Sequence, residues 1–220
     1  MQAQTPTFAP LIIALVAILG YLCGNLQTSL LVSRLRFSDD VRKYGSGNAG
    51  ATNMFRVYGR GYGLATFAGD ALKCIGATLV GRWLGGMLGL SGDPILAVKL
   101  GGYIGGFTAV LGHCYPVLFK FRGGKGAASS FAFMWMVFPL GAAVTSVVAV
   151  VVYLITKRVS VVSMTGAILF LILAIFFGKP TPYLPITVAL CVALILVRHI
   201  PNIRRLIMGE ERETKRMKKG

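Results

Sequence analysis

The sequence predicts an all-α, polytopic integral membrane protein of about seven transmembrane helices, with its N-terminus outside and its C-terminus in the cytoplasm. Three observations predict it. Only 14% of the 220 residues are charged and 55% are hydrophobic, where a soluble domain carries about 25% charged residues. The apolar residues gather into runs near the roughly 20 needed to cross a hydrocarbon core of about 30 Å. The basic residues behind the net charge of +16 sit between those runs in alternate loops, as cytoplasmic loops rich in Lys and Arg do. Such segregation reports topology, so no nucleic-acid partner is expected. The remaining charge suits anionic membrane lipid or an anionic substrate.

Seven hydrophobic segments follow in order: Phe8–Leu35, Gly61–Gly86, Ile95–Phe119, Ala127–Phe138, Leu140–Ile155, Val161–Gly178 and Pro182–His199. The first has no basic stretch ahead of it and is long enough to span, so it reads as a helix and not a cleavable signal. The fourth and fifth are split by "FPLG", Phe138 to Gly141. They read as two short helices meeting at a Pro-Gly turn, or as one bent span, although residues 127–155 are long for a single crossing. Arg34, Arg36, Arg42, Lys43, Arg56 and Arg60 follow the first span, Lys120, Arg122 and Lys125 the third, Lys157 and Arg158 the fifth, and Arg198, Arg204, Arg205 and the "RETKRMKK" tail the seventh. The opposite loops hold little beyond Arg82, Lys99 and Lys179. An odd number of spans fits that alternation. Residues 1–220 read as one transmembrane domain, with 207–220 a basic cytoplasmic tail. No internal repeat supports a transporter built from inverted halves. Cys23, Cys74, Cys114 and Cys191 are scattered through apolar segments without CxxC spacing and read as buried thiols.

The unusual polar sequence all falls on the expected cytoplasmic side. The first patch, "YGSGNAGATNMFRVYGRGYG" from Tyr44 to Gly63, combines glycines with Ser46, Asn48, Thr52 and Asn53. Glycine permits left-handed turns and close backbone approach, successive amides can form an anion nest, and Arg56 and Arg60 can grip a phosphate. A flexible loop with topology-setting arginines is the plain alternative. The second patch, "FKFRGGKGAASS" from Phe119 to Ser130, is not a P-loop, because Gly126 follows Lys125 where Ser or Thr is required. Even so, Gly123, Gly124 and Gly126 would expose amides at a helix N-terminus, where an anion is favoured, beside the Lys125 charge. The third, "KRVSVVS", joins Arg158 to Ser160 and Ser163. In the fourth, "RHIPNIRRL", His199 and Asn202 are three apart and would share a helix face, with Pro201 between them. Asp70 and Lys73, one turn apart inside the second span, are expected to form an ion pair, since intramembrane charges are costly alone.

Several patterns are missing. Neither His113 nor His199 has an acid five residues on, where Leu118 and Arg204 stand, so the His-x4-Asp signature of common glycerolipid acyltransferases is absent. No span carries a ladder of acids for ion coupling, and there is no Ser-x-Gly nucleophile elbow. No metal site is expected, because the four patches lack acids apart from the tail glutamates.

"GSGNAGATN" followed by Arg56, "GHCYPVLFKFRGGKG" and "HIPNIRRLIMGEE" together resemble the bacterial acyl-phosphate:glycerol-3-phosphate acyltransferase family (PlsY), over nearly the whole chain from "GYLCGN" to the tail. The Asp70–Lys73 pair matches a family feature. The resemblance implies an enzyme of the bacterial cytoplasmic (inner) membrane with seven transmembrane helices and a cytoplasmic-side site. It would convert acyl phosphate and glycerol 3-phosphate into lysophosphatidic acid and phosphate, the first acylation of phospholipid synthesis. Neither acyl-CoA nor acyl-carrier protein would be the direct donor, and no cofactor would be needed. By motif it assigns Ser46, Gly47, Asn48, Thr52 and Arg56 to the first family motif, and Gly123, Gly124, Lys125 and Gly126 to the second. Ser163, with Ser160 as second choice, corresponds to the serine beyond the Arg158 loop, and His199 and Asn202 fit the last motif. Arg56 and Lys125 would bind phosphates, while His199 and Asn202 would position glycerol 3-phosphate. The hydroxyl proton would go to a substrate phosphate, with His199 as the rival base. The chain departs from the family at Gly24-Asn25-Leu26-Gln27, where Gly-Ser-Ile-Pro is usual, and at Cys74, where Gly usually follows Asp-x-x-Lys. An anion transporter or a lipid-binding protein could use the same patches, but a transporter needs polar paths to both faces.

Overall fold

The structure, a computed structural model, describes residues 7–178 and 182–215. Residues 1–6, Lys179 of the outer-loop charges and the last tail residues, 216–220, lie outside the described residues. The elements are α1 (Ala9–Gly24), α2 (Thr28–Phe37), α3 (Ala51–Tyr58), α4 (Arg60–Met87), α5 (Pro94–Cys114), α6 (Ala127–Val137), α7 (Pro139–Thr156), α8 (Val159–Phe177) and α9 (Tyr183–Ile207), with no strand among the described residues.

Local chemistry sets the boundaries. Asp93 caps α5, accepting from the amides of Ile95 at 2.9 Å and Leu96 at 3.3 Å, and Pro94 opens the helix where no N–H is required. Pro139 opens α7 in the same way. It also forces the preceding Phe138 out of the helical region, to φ −150° and ψ 78°, which ends α6. The fourth and fifth apolar segments are therefore two helices. Among the described residues six helices are long and apolar enough to cross a membrane, counting Ala9–Phe37 as one. The run expected as a fourth span, α6, has only 11 residues, about 16 Å at 1.5 Å per residue, roughly half a hydrocarbon core.

The first run is not one continuous helix. It breaks at residues 25–27, where Asn25 and Gln27 are fully buried. Asn25 donates to the Tyr21 carbonyl at 2.7 Å and accepts from the Leu118 amide at 3.2 Å, and Gln27 donates to the His113 carbonyl at 3.1 Å. Asn25 and Gln27, both within the first departure from the usual family sequence, thus satisfy backbone groups at the break and tie it to the end of α5 and the turn after it.

With no hydrophobic drive between helices in lipid, close approach through small residues supplies the packing. A Cβ on Gly101 would lie 2.0 Å from the Gly81 carbonyl oxygen, and one on Gly24 would lie 2.2 Å from that of Ala109. Helix α5 is therefore clasped by α4 on one flank and α1 on the other. Larger side chains, among them Phe133, Phe170 and Val188, fill the space toward α6, α8 and α9. Outward faces are apolar and exposed, as at Leu11, Trp83, Ile155 and Phe176, which suits a lipid surround. The α2–α3, α5–α6 and α7–α8 connections and the C-terminal residues meet at one end of the bundle. There Arg42 reaches the Arg122 carbonyl, Arg212 reaches the Gly45 carbonyl, and the Thr214 amide bonds the Lys157 carbonyl.

Candidate active site

The first glycine loop is shaped by one buried side chain. Asn53 accepts from the Ser46 amide at 2.9 Å and donates to the carbonyls of Val41 at 3.0 Å and Tyr44 at 3.1 Å. Gly45 and Gly47 take the positive φ angles, 61° and 70°, that the turn needs. The Gly47 amide bonds the Tyr44 carbonyl. The amides of Ser46 and Gly47 therefore hold the loop's own shape, and what the loop presents to the interior is side chains, Ser46 and Asn48. Thr52 and Arg56, four apart on α3, continue the same face. Arg56 donates to the carbonyls of Arg212 at 3.2 Å and Glu213 at 3.4 Å, while among the described residues its Nε is buried without a partner. Burial lowers its pKa, and nearby Glu211 opposes that shift.

The second loop is clamped from α9. Arg198 donates from Nε to the Gly124 carbonyl and from Nη2 to the Gly123 carbonyl, both at 2.9 Å, and its guanidinium lies 5.1 Å from the Tyr115 ring centroid. The Gly124 amide donates to the His113 carbonyl at 3.0 Å, so it is not free for an anion. Side chains are excluded here, since a Cβ on Gly123 would lie 2.1 Å from the His113 carbonyl oxygen. Gly126, at φ 81°, turns the chain into α6. Between them Lys125 donates to Asn202 Oδ1 at 2.5 Å. Burial is the main reason its pKa falls to about 8, with Glu211 pulling the other way and Arg205 and Arg56 adding to the drop.

Helix α9 runs unbroken through Pro201, so His199 and Asn202 do share its inward face, and both are buried. His199 donates from Nδ1 to the Ile195 carbonyl at 2.8 Å. That leaves Nε2 as an acceptor. Ser160 and Ser163 come from the first turns of α8, Ser160 bonded to Glu211 at 2.6 Å and Ser163 to its own helix at the Val159 carbonyl.

Glu211, which the sequence reading left in the basic cytoplasmic tail, is buried at the centre of this polar end. Its carboxylate accepts from Ser160 and Asn202, each at 2.6 Å, and from Arg205 at 2.8 Å. Burial works to raise its pKa, but those three hydrogen bonds hold it below the usual carboxylate value. The tail's first residues are therefore part of the wall. The Asp70–Lys73 pair expected in the second span is present at 2.9 Å, and it includes His113, whose Nδ1 is 2.9 Å from Lys73 Nζ. Sequence reasoning missed Glu211, Arg198 and His113 as parts of the site. All three lie inside or beside the quoted motifs, and position within them was the available signal.

These groups surround one cavity of about 300 Å³. Ser46, Asn48, Thr52, Arg56, Lys125, Ser160, Ser163, His199 and Asn202 line its polar end, and Phe67, Phe131, Met134, Ala149, Val162 and Ala167 line an apolar arm. A second, outer pocket of about 630 Å³ shares Ser46, Asn48, Lys125 and Asn202 with the first and adds Gly47, Gly123, Arg42, Arg122 and Arg198. Gly124 and Gly126 shape the loop behind both pockets without lining either. Such an arrangement suits a molecule with an anionic head and an apolar chain, together with a second anion arriving from the basic outer pocket. Among the described residues no three His, Cys, Asp or Glu side chains gather to hold a metal ion.

Residues 14–209 match the family model described as glycerol-3-phosphate acyltransferase. The glycerol-3-phosphate acyltransferase of Thermoanaerobacter pseudethanolicus is 37% identical over 90% of this chain and 93% of its own. That of Neisseria meningitidis is 38% identical over 87% and 92%. Among solved structures, the glycerol 3-phosphate form of PlsY, an integral membrane glycerol 3-phosphate acyltransferase, superimposes with a TM-score of 0.79 at 31% identity, covering 91% of this chain and 94% of its own. Its lysophosphatidic acid form gives a TM-score of 0.77 at 30% identity.

Proposed function

The chain belongs to the glycerol-3-phosphate acyltransferase family, and from that premise we propose that it moves the acyl group of an acyl phosphate onto the sn-1 hydroxyl of glycerol 3-phosphate. The products are lysophosphatidic acid and inorganic phosphate. The observation that carries the reading is a single cavity in which Arg56 and Lys125 face His199 and Asn202 above an apolar arm. The arm takes the acyl chain, and the polar end takes two phosphates, one from each substrate. Solved PlsY structures in glycerol 3-phosphate and lysophosphatidic acid forms support the acceptor and the product.

An acyl phosphate is already an activated mixed anhydride, so holding the two substrates in line and stabilising charge carry the reaction. The glycerol hydroxyl forms a C–O bond to the acyl carbon, the bond from that carbon to the phosphate oxygen breaks, and phosphate leaves. Lys125 and Arg56 neutralise the phosphates, with Ser46, Asn48 and Thr52 as further donors and Ser163 or Ser160 facing them from α8. The glycine loops carrying Gly47, Gly123, Gly124 and Gly126 keep side chains out of the way. Asn202 and His199 orient glycerol 3-phosphate. The hydroxyl proton passes to a substrate phosphate, with the Nε2 lone pair of His199 as the alternative acceptor. The positive-inside distribution supports a cytoplasmic-side site with the N-terminus outside, which requires the short α6 to complete a seventh crossing beside the six long helices, and the bacterial relatives support the inner membrane.

Arg56→Ala and Lys125→Ala are each expected to lower kcat/KM by about 10²-fold or more, while the purified variants elute and melt as wild type does. Near-normal turnover by both would overturn the assignment of these two side chains.

A further inference from the structure

We propose that His113 is a further substrate-binding residue of this reaction, its Nε2–H donating to an oxygen of the substrate held between the two glycine loops, with Lys73 and Asp70 as the positioning pair that fixes it. The inference rests on the function proposed above and deepens it. The Lys73 ammonium lies 2.9 Å from His113 Nδ1, 2.9 Å from Asp70 Oδ1 and 2.6 Å from the Leu26 carbonyl oxygen. A lysine ammonium has three donors and no acceptor. His113 Nδ1 therefore accepts from it, Asp70 Oδ1 standing farther from Nδ1 at 3.5 Å, and this assigns the ring's single hydrogen to Nε2. Asp70, which also accepts from Thr28 at 3.2 Å, holds the ammonium in place. Asp70, Lys73 and His113 are all buried.

The other edge of the ring lies against the second glycine loop. Nε2 lies 2.1 Å from where a Cβ on Gly124 would stand, so it presses against the bare backbone of the glycine loop. His113 and Asp70 both line the main cavity. Among the described residues Nε2 has no hydrogen-bond partner. A neutral imidazole whose donor is fixed by a buried ion pair and left without an acceptor beside a phosphate-sized polar space is suited to a phosphate or acyl carbonyl oxygen. Helix packing alone requires no such orientation.

Two variants separate binding from packing. The amide nitrogen of Gln can reach the position of Nε2, whereas Asn can replace Nδ1 as the acceptor for Lys73 but offers nothing toward the loop. His113→Gln is expected to stay within about 10-fold of wild-type kcat/KM and His113→Asn to fall by about 10²–10³-fold, the usual cost of one such donor. Equal losses, or better turnover by His113→Asn, would overturn the proposal. An independent readout needs no substitution at His113. The chain has two histidines, so ¹⁵N-histidine labelling of wild type gives two imidazoles, assigned with His199→Gln. The Nε2–H tautomer for His113, with its Nε2 resonance moved by inorganic phosphate or glycerol 3-phosphate, supports the proposal; the Nδ1–H tautomer, or a resonance indifferent to both, contradicts it. Absence of turnover by wild type would instead overturn the parent reading, and the labelled spectrum would still decide His113.

Discussion

At the scale of single residues, charge and burial at Lys125 predict a pH response. Its ammonium is useful to a phosphate only when protonated, and burial brings its pKa down to about 8 in the free protein. The sign follows directly: the charged form dominates below pH 8 and is lost above it. kcat/KM for glycerol 3-phosphate is therefore expected to decline as pH rises through about 8. Lys125→Arg, which cannot be deprotonated in this range, should move that decline upward even if it costs activity. A profile flat to pH 9.5 in wild type would contradict it. The residues that sequence made legible are those whose chemistry is odd for a membrane loop: Ser46, Asn48, Arg56, Lys125, His199 and Asn202 all face the cavity. Glu211 was not legible, because a Glu in a charged tail looks solvated until Ser160, Asn202 and Arg205 are seen to converge on it. Nor could the sequence show that the Gly124 amide is already bonded to His113.

At the scale of elements, the first residues of the tail act as a wall held by one carboxylate. Glu211→Gln replaces an acceptor of three hydrogen bonds with a group that carries a donor into the same place. Hydrogen bonds to a charged group contribute about 1.5–3 kcal/mol each, so the tail is expected to undock. Faster hydrogen exchange across residues 210–215, with helices α4 and α5 unchanged, would show it. The α4–α5 contact makes a separate prediction. A side chain on Gly101 meets backbone and not a movable group, so Gly101→Leu should destabilise by about 1–3 kcal/mol or more, the usual cost of overpacking, and lower the melting temperature in detergent. The apolar segments and the Pro139 break could be read from hydropathy and proline chemistry. The shortness of α6 was legible in the same way, since the segment was bounded at Phe138 and ends there before Pro139. The break at Asn25–Gln27 was not, because it is decided by tertiary partners, the Leu118 amide and the His113 carbonyl.

At the scale of the whole molecule, one end of the bundle gathers the polar loops, while the sides are apolar and the far end is sparsely charged. A cysteine introduced at Ser91, on a background lacking the four native cysteines, should react with impermeant thiol reagent from the periplasmic side, and one at Arg122 only from the cytoplasmic side. The reverse pattern would invert the proposed orientation. The central claim is that the cavity joins an acyl phosphate to glycerol 3-phosphate. Its most direct test is turnover by the purified protein in detergent or lipid mesophase with palmitoyl phosphate and glycerol 3-phosphate, following released phosphate and identifying the lipid product by mass. Stoichiometric lysophosphatidic acid and phosphate from acyl phosphate, and none from acyl-CoA, is the predicted result. A folded preparation that binds both compounds and forms no lysophosphatidic acid would contradict it.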